Sequence, residues 1–111
     1  MKPVRPPFRA TGTGAMSTTI TPGTKFELES VRLHVVSGPG GSGNFTATVD
    51  SAAGANYDYN LITEDMTSAS DVGRSYSPGE SSFAVGDSLV FAWANAGGKT
   101  WGLEVHLREV E

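Results

Sequence analysis

The residues of this chain whose types could do chemistry are few, and their spacing is poor for it. His34 and His106 both fall in segments of strand-like alternation, each among polar neighbours of its own parity. If those two strands lie side by side, the imidazoles could approach one another and recruit Glu104 as a third ligand, a trio of the kind that holds zinc. Histidines on solvent faces are the simpler assignment. Asp58, Glu64, Asp65, Asp71 and Asp87 offer oxygen ligands, yet none stands in a D-x-D-x-D-G loop. Turn formation and solvent exposure account for them. Serines are many, but no G-x-S-x-G places one at a nucleophile elbow. Paired carboxylates for glycoside hydrolysis need a cleft holding them about 5 to 9 Å apart, which a domain this small rarely has. Gly12, Gly14 and the glycines of 38–43 do not form a phosphate loop leading into a helix, and Asn44-Phe45-Thr46 matches the glycosylation sequon by chance. The pattern points to no enzyme: no catalytic residue, no cofactor and no metal is expected.

Tyr57, Tyr59, Trp93 and Trp101 could instead form an aromatic platform for sugar rings. Both tryptophans share parity with Leu and Phe neighbours, so core packing is the better reading for them.

The elements that would position these side chains are strands. The chain has 111 residues, enough for one core and too few for two. Its 14 glycines and 6 prolines, with many Ser and Thr and no long helical period, describe short strands joined by turns. With no cysteine, a disulfide framework and a thiolate metal site are excluded, so stability rests on packing or on neighbouring chains. No apolar run approaches the roughly 18 residues of a membrane span, and no signal-peptide core opens the chain, so no membrane association and no export are expected.

The segment 86–110 is the most apolar. Leu89, Phe91 and Trp93 occupy one parity and Val90, Ala92 and Ala94 the other, which places the strand inside a sheet. Trp101, Leu103, Val105 and Leu107 alternate with Gly102, Glu104, His106 and Arg108, a strand with one wet face. If these two strands pair, a three-residue loop 97–99 opposes Phe91 to Val105 and keeps both apolar sets on one side. In a jelly roll they lie in different sheets and face each other across the core. Both arrangements satisfy the pattern.

Upstream, Phe26 and Leu28 are out of phase with Val31, Leu33 and Val35, and a bulge near Glu29-Ser30 in one long bent strand would turn both sets inward. The loop 37–43 has no apolar residue and is expected to be exposed and mobile. Phe45, Ala47 and Val49 mark a strand over 44–50, and Tyr57, Tyr59 and Leu61 another. Asp65 could cap one helical turn to Ala69. Short strands are expected at 75–77 and 81–85, with Phe83 and Val85 inward. Seven or eight strands follow, in an all-β antiparallel sandwich, a jelly roll by preference.

Residues 1–24 read differently, as an extended arm ahead of a sandwich domain at 25–111. Pro3, Pro6, Pro7 and Pro22 prevent helix, although Ser17 to Thr21 could form a short edge strand. Net charge is −4, unevenly spread: the first 25 residues hold Lys2, Arg5, Arg9 and Lys25 without an acid, and the remainder sets four bases against twelve acids, a formal −8. Lys2, Arg5 and Arg9 with Phe8 as apolar anchor are the candidate assembly residues, docking on an acidic surface. Nucleic acid is not the expected partner, because four dispersed charges beside a repelling body bind phosphate weakly.

The order of motifs, Phe26-x-Leu28, Val31-Arg32-Leu33-His34, Asn44 to Ser51, Tyr57-Asp58, Asp65-Met66, Gly86-Asp87-x-Leu89-x-Phe91-x-Trp93 and Trp101 to Val105, resembles small virion structural proteins of tailed bacteriophages, of the head-decoration or cement type with jelly-roll bodies. The resemblance covers about Phe26 to Val110 and rests on core and turn positions, so it carries no binding residue across. It implies a multi-copy homo-oligomer, with a trimer favoured, bound in the virion to a major capsid protein or another virion protein. A monomeric carbohydrate-binding module used in adhesion is the alternative, and solution mass separates the two.

Overall fold

The structure is a computed structural model that describes residues 7–36 and 38–110. Its strands are β1 (Phe8–Gly12), β2 (Met16–Ile20), β3 (Phe26–Val35), β4 (Asn44–Asp50), β5 (Tyr59–Asp65), β6 (Asp71–Ser75), β7 (Ser82–Phe83), β8 (Ser88–Trp93) and β9 (Trp101–Glu109), with a single 3-10 turn at Ala55–Tyr57. They build an all-β antiparallel sandwich. One sheet has the order β1-β9-β3-β6, with β7 pairing β3 beyond β6, and the other has the order β2-β8-β4-β5. Only the hairpin β4-β5 and the step β6 to β7 keep the chain within one sheet; every other connection carries it across to the facing layer.

The inner faces follow the parity of the sequence. Leu89, Phe91 and Trp93 from β8, Phe45, Ala47 and Val49 from β4, and Trp101, Leu103, Val105 and Leu107 from β9 are all buried. In β3 the register with β9 shifts between Leu28 and Ser30, and this bulge at Glu29 lets Phe26 and Leu28 join Val31, Leu33 and Val35 in the core.

β8 and β9 do not pair. They lie in opposite sheets, so the three-residue-loop register is replaced by the arrangement in which they face across the core. Their expected partnership is taken by the N-terminal strands: β1 pairs β9, with Phe8 opposite Val105 and Ala10 opposite Leu103, and β2 pairs β8, with Met16 opposite Trp93 and Ile20 opposite Leu89. The boundary expected at residue 24 is therefore misplaced. Residues 8–20 are one edge strand of each sheet, and Met16 and Ile20 are buried.

Asn95 fastens this edge. Its φ of 49° is a left-handed conformation that Asn tolerates. Its buried amide Nδ2 donates to the carbonyls of Gly14 and Lys99 at 2.9 and 2.8 Å, while Oδ1 accepts from Lys99 N at 2.9 Å. Trp101 Nε1 also donates to Gly14 O, at 3.0 Å. The β1-β2 turn is thus bound to the β8-β9 loop by side chains as well as by packing.

The loop after β3 is not a free tip: Gly40 is buried, its N–H donates to Ala69 O, and Trp93 Nε1 donates to Ser42 O. A Cβ at Gly40 would stand 2.7 Å from the Trp93 ring, so this loop closes over the tryptophan because residue 40 has no side chain. No helical turn forms after Asp65, whose carboxylate instead accepts from Thr67 N and Oγ1. Those two bonds hold its pKa below the usual Asp value. The strand expected at 75–77 lies earlier, as β6, with Val72 as its buried residue, and Val85 is exposed while Phe83 packs inward against Phe26.

Candidate functional site

With the core parity fixed, the outer face of each sheet is fixed too, and the two are chemically different. On the β2-β8-β4-β5 sheet the register aligns Ser17, Ala92, Thr46 and Thr63 in one row and Thr19, Val90, Thr48 and Asn60 in the next. Neither row carries a charge. Asp65 and Asp50 stand only at the ends of the strands that flank them.

The outer face of the β1-β9-β3-β6 sheet, by contrast, is charged. One row runs Arg9, Glu104, Arg32, Gly73, and the next runs Thr11, Gly102, His34, Asp71. Glu104 is the hub. Arg9 Nε donates to its Oε2 at 2.7 Å, His106 Nε2 lies 2.8 Å from its Oε1, and Arg32 Nη1 stands 3.8 Å from Oε1. A carboxylate only accepts, so His106 carries its proton on Nε2; by the same argument His34 carries one on Nδ1, 2.6 Å from Asp71 Oδ1. At the far end of the face Arg108 pairs with Glu29.

The hydrogen bond from His106, then that from Arg9, hold the Glu104 carboxyl at a pKa of about 2, below its ordinary 4.5. Because the folded value is the lower one, what this network contributes to stability is complete above pH 4.5 and fades as pH falls toward 2. A carboxyl carbon titration by NMR should give Glu104 a midpoint near 2, and His106→Phe should raise it more than Arg9→Met does. A wild-type midpoint near 4.5 would show that the hub is not held in solution.

Between these side chains the sheet is bare at two positions. Gly102 and Gly73 have nothing within 4 Å of where a Cβ would be. They floor two shallow depressions that share Gly102 and Glu104: one of ≈ 380 Å³ beside Arg9 and Thr11, the other of ≈ 400 Å³ beside Arg32, His34 and Asp71.

The candidate residues read from the sequence fare unevenly. Strands β3 and β9 are adjacent, as the metal trio required, but His34 lies opposite Gly102 and His106 opposite Ser30. Four residues of strand, about 13 Å, separate the histidines, so the trio does not form. Among the described residues no three His, Asp or Glu side chains converge as a metal site would need. The carboxylates of Asp58 and Asp87 accept from backbone N–H groups of the 51–53 turn, and Asp87 also accepts from Ala84 N. Trp93 and Trp101 are core residues, whereas Tyr57 and Tyr59 are 65% and 52% exposed, so the four do not make one platform.

Of the assembly residues, Lys2 and Arg5 lie outside the described residues. Phe8 is part-buried against the core of its own chain, and Arg9 is paired with Glu104 of its own sheet. Those two are sandwich residues, not arm residues, because β1 needs them on its inner and outer faces. The glycine notches and the Asn95 fastening escaped the sequence reading. The signals were Gly102 in an otherwise regular alternation and an Asn ahead of Gly97-Gly98.

No family model matches the chain, and no curated protein matches it. Among solved structures it is similar to the Drosophila NLP-core, a structure described as informing pentamer formation and histone binding, at 12% identity over 91% of this chain and 96% of that one, with a TM-score of 0.46. A likeness at this level carries no argument about what the present chain binds or how it assembles.

Proposed function

We propose that this chain is a non-enzymatic structural protein that works as one copy among many in a homo-oligomer, and that its place is on a bacteriophage capsid or another part of a virion. The observation that carries the reading is the uncharged outer face of the β2-β8-β4-β5 sheet. A chain of net charge −4 keeps its outward charge off two full rows of that sheet and fills them with Thr, Ser, Val, Ala and one Asn. Charged residues are depleted at the centres of protein interfaces because their desolvation is costly, and small side chains allow close approach of a second surface. The passage of the chain from sheet to sheet supports the jelly-roll assignment, and with it the resemblance to decoration proteins. A trimer is the favoured size.

Light scattering on the full chain near physiological salt should give the mass of a closed oligomer, and Thr48→Arg or Ala92→Arg, which put a charge in the middle of the neutral rows, should shift it to monomer. A wild-type monomer at high micromolar concentration overturns the proposal. A capsid or tail gene next to this one supports the virion placement, and a neighbourhood of carbohydrate-active genes favours the adhesion module instead, for which exposed Tyr57 and Tyr59 are the supporting observation.

A further inference from the structure

We propose that the Gly102 notch on the outer face of the β1-β9-β3-β6 sheet binds a carboxylated sugar, a uronic-acid unit of an acidic saccharide. The inference is independent of the assembly reading, since it concerns the opposite face of the sandwich.

Arg9 and Arg32 stand on strands to either side of Glu104 and both reach toward it. One carboxylate thereby gathers two guanidinium groups, and the trio is left with a net positive charge on a body that is otherwise acidic. Arg9 binds Glu104 through Nε, which leaves its terminal nitrogens for another acceptor. Arg32, at 3.8 Å from Glu104, is too far for a hydrogen bond, and both arginine side chains are 71% exposed. Glu104 is held ionised by its neighbours, so it keeps the arginines gathered throughout the neutral range. A fork of planar donors fits a ligand carboxylate.

The remaining groups at the notch are acceptors. Thr11 Oγ1 gives its proton to Trp101 O at 2.7 Å, so its lone pairs are what it offers a ligand. His34 uses Nδ1–H on Asp71, so Nε2 is the ring nitrogen left for a ligand, an acceptor whenever the ring holds that one proton. These two residues flank Gly102 from the neighbouring strands, about 10 Å apart at the backbone. With no side chain at Gly102, a six-membered ring can lie on the strand and give its hydroxyl protons to either side. Donors gathered at one corner and acceptors across the floor match one carboxylate among several hydroxyls. A densely acidic peptide matches less well, because its side chains offer carboxylates alone and carry no hydroxyl protons to give to the acceptors across the floor.

The test uses calorimetric titration of the full chain with trigalacturonic acid, with its methyl ester and with polyglutamate, and compares the wild type with Gly102→Val and Arg32→Ala. A Cβ at Gly102 meets nothing within 4 Å and valine favours a strand, so Gly102→Val should fill the notch with a melting temperature that equals or exceeds that of the wild type. The expected result is binding of trigalacturonate, a loss of tenfold or more for the ester, for Arg32→Ala and for Gly102→Val, and weaker binding of polyglutamate. The proposal is overturned if trigalacturonate does not bind at millimolar concentration, if the ester or polyglutamate binds as well, or if Gly102→Val binds like the wild type. Because Gly102 is remote from the neutral face, the oligomer mass of the variant reports separately on the assembly proposal.

Discussion

A chain that begins at Thr24 should not fold into the sandwich. The truncation removes β1 and β2, each the edge strand beside a long, deeply buried partner, and so opens the ladders of β9 and β8 together. It takes away the buried side chains of Met16 and Ile20 and the part-buried Phe8, worth about 1.5 to 3 kcal/mol for each that is fully buried. It also strips Asn95 Nδ2 and Trp101 Nε1 of their acceptor at Gly14 O, leaving buried polar groups to be satisfied elsewhere at about 1 to 3 kcal/mol each. Those losses together reach the whole stability of an ordinary domain, about 5 to 15 kcal/mol. Far-UV circular dichroism and the dispersion of the amide proton spectrum should both be those of an unfolded or collapsed chain. A cooperative melt within a few degrees of the full-length protein would show that the N-terminal strands add nothing to the fold.

The same strands mark the limit of what the sequence discloses. The core was legible because burial writes a period of two into the chain: Phe45, Ala47 and Val49 could be read directly, and so could the slip of phase that the Glu29 bulge absorbs. β1 writes almost nothing, because an edge strand is held mainly by backbone hydrogen bonds, which any residue but proline supplies. Its inner positions are Phe8, Ala10 and Gly12, and the last must be small, since a Cβ there would stand 3.1 Å from the Trp101 ring. Among prolines, glycines and basic residues, such a strand looks like an arm.

The partnership of β8 and β9 was undetermined for a related reason. A short loop brings two strands near each other but does not decide whether they share a sheet; here Asn95 decides it, by turning the chain through a left-handed residue and binding the β1-β2 turn. β6 was displaced in the reading because only Val72 of its five residues is buried. The outer-face network was half legible. Alternation placed His34, Glu104 and His106 on wet faces, but which of them meet is a matter of inter-strand register, which no local pattern records.

Phe91→Ala should destabilise the domain by about 3 to 5 kcal/mol. Phe91 is fully buried at the middle of β8, with Thr18 of β2 on one side and Ala47 of β4 on the other, and its ring stacks on Phe45 at a centroid distance of 6.3 Å. Its two neighbours within the sheet are small, so neither can grow into the space the ring leaves. The adjacent core ring, Phe45, has its backbone fixed in β4 between β8 and β5. Partial collapse is therefore limited, and the cost should lie toward the upper end of that range. Val90→Ala supplies the control: it is the next residue of the same strand and of similar strand propensity to its neighbours, but it lies half-buried on the neutral outer face and should cost less than about 1.5 kcal/mol in the monomer. Urea unfolding followed by tryptophan fluorescence should move the midpoint for Phe91→Ala far more than for Val90→Ala, with the slope unchanged in both. A loss below 1 kcal/mol for Phe91→Ala, or equal losses for the two variants, would place β8 at the periphery and contradict a core built between the two sheets.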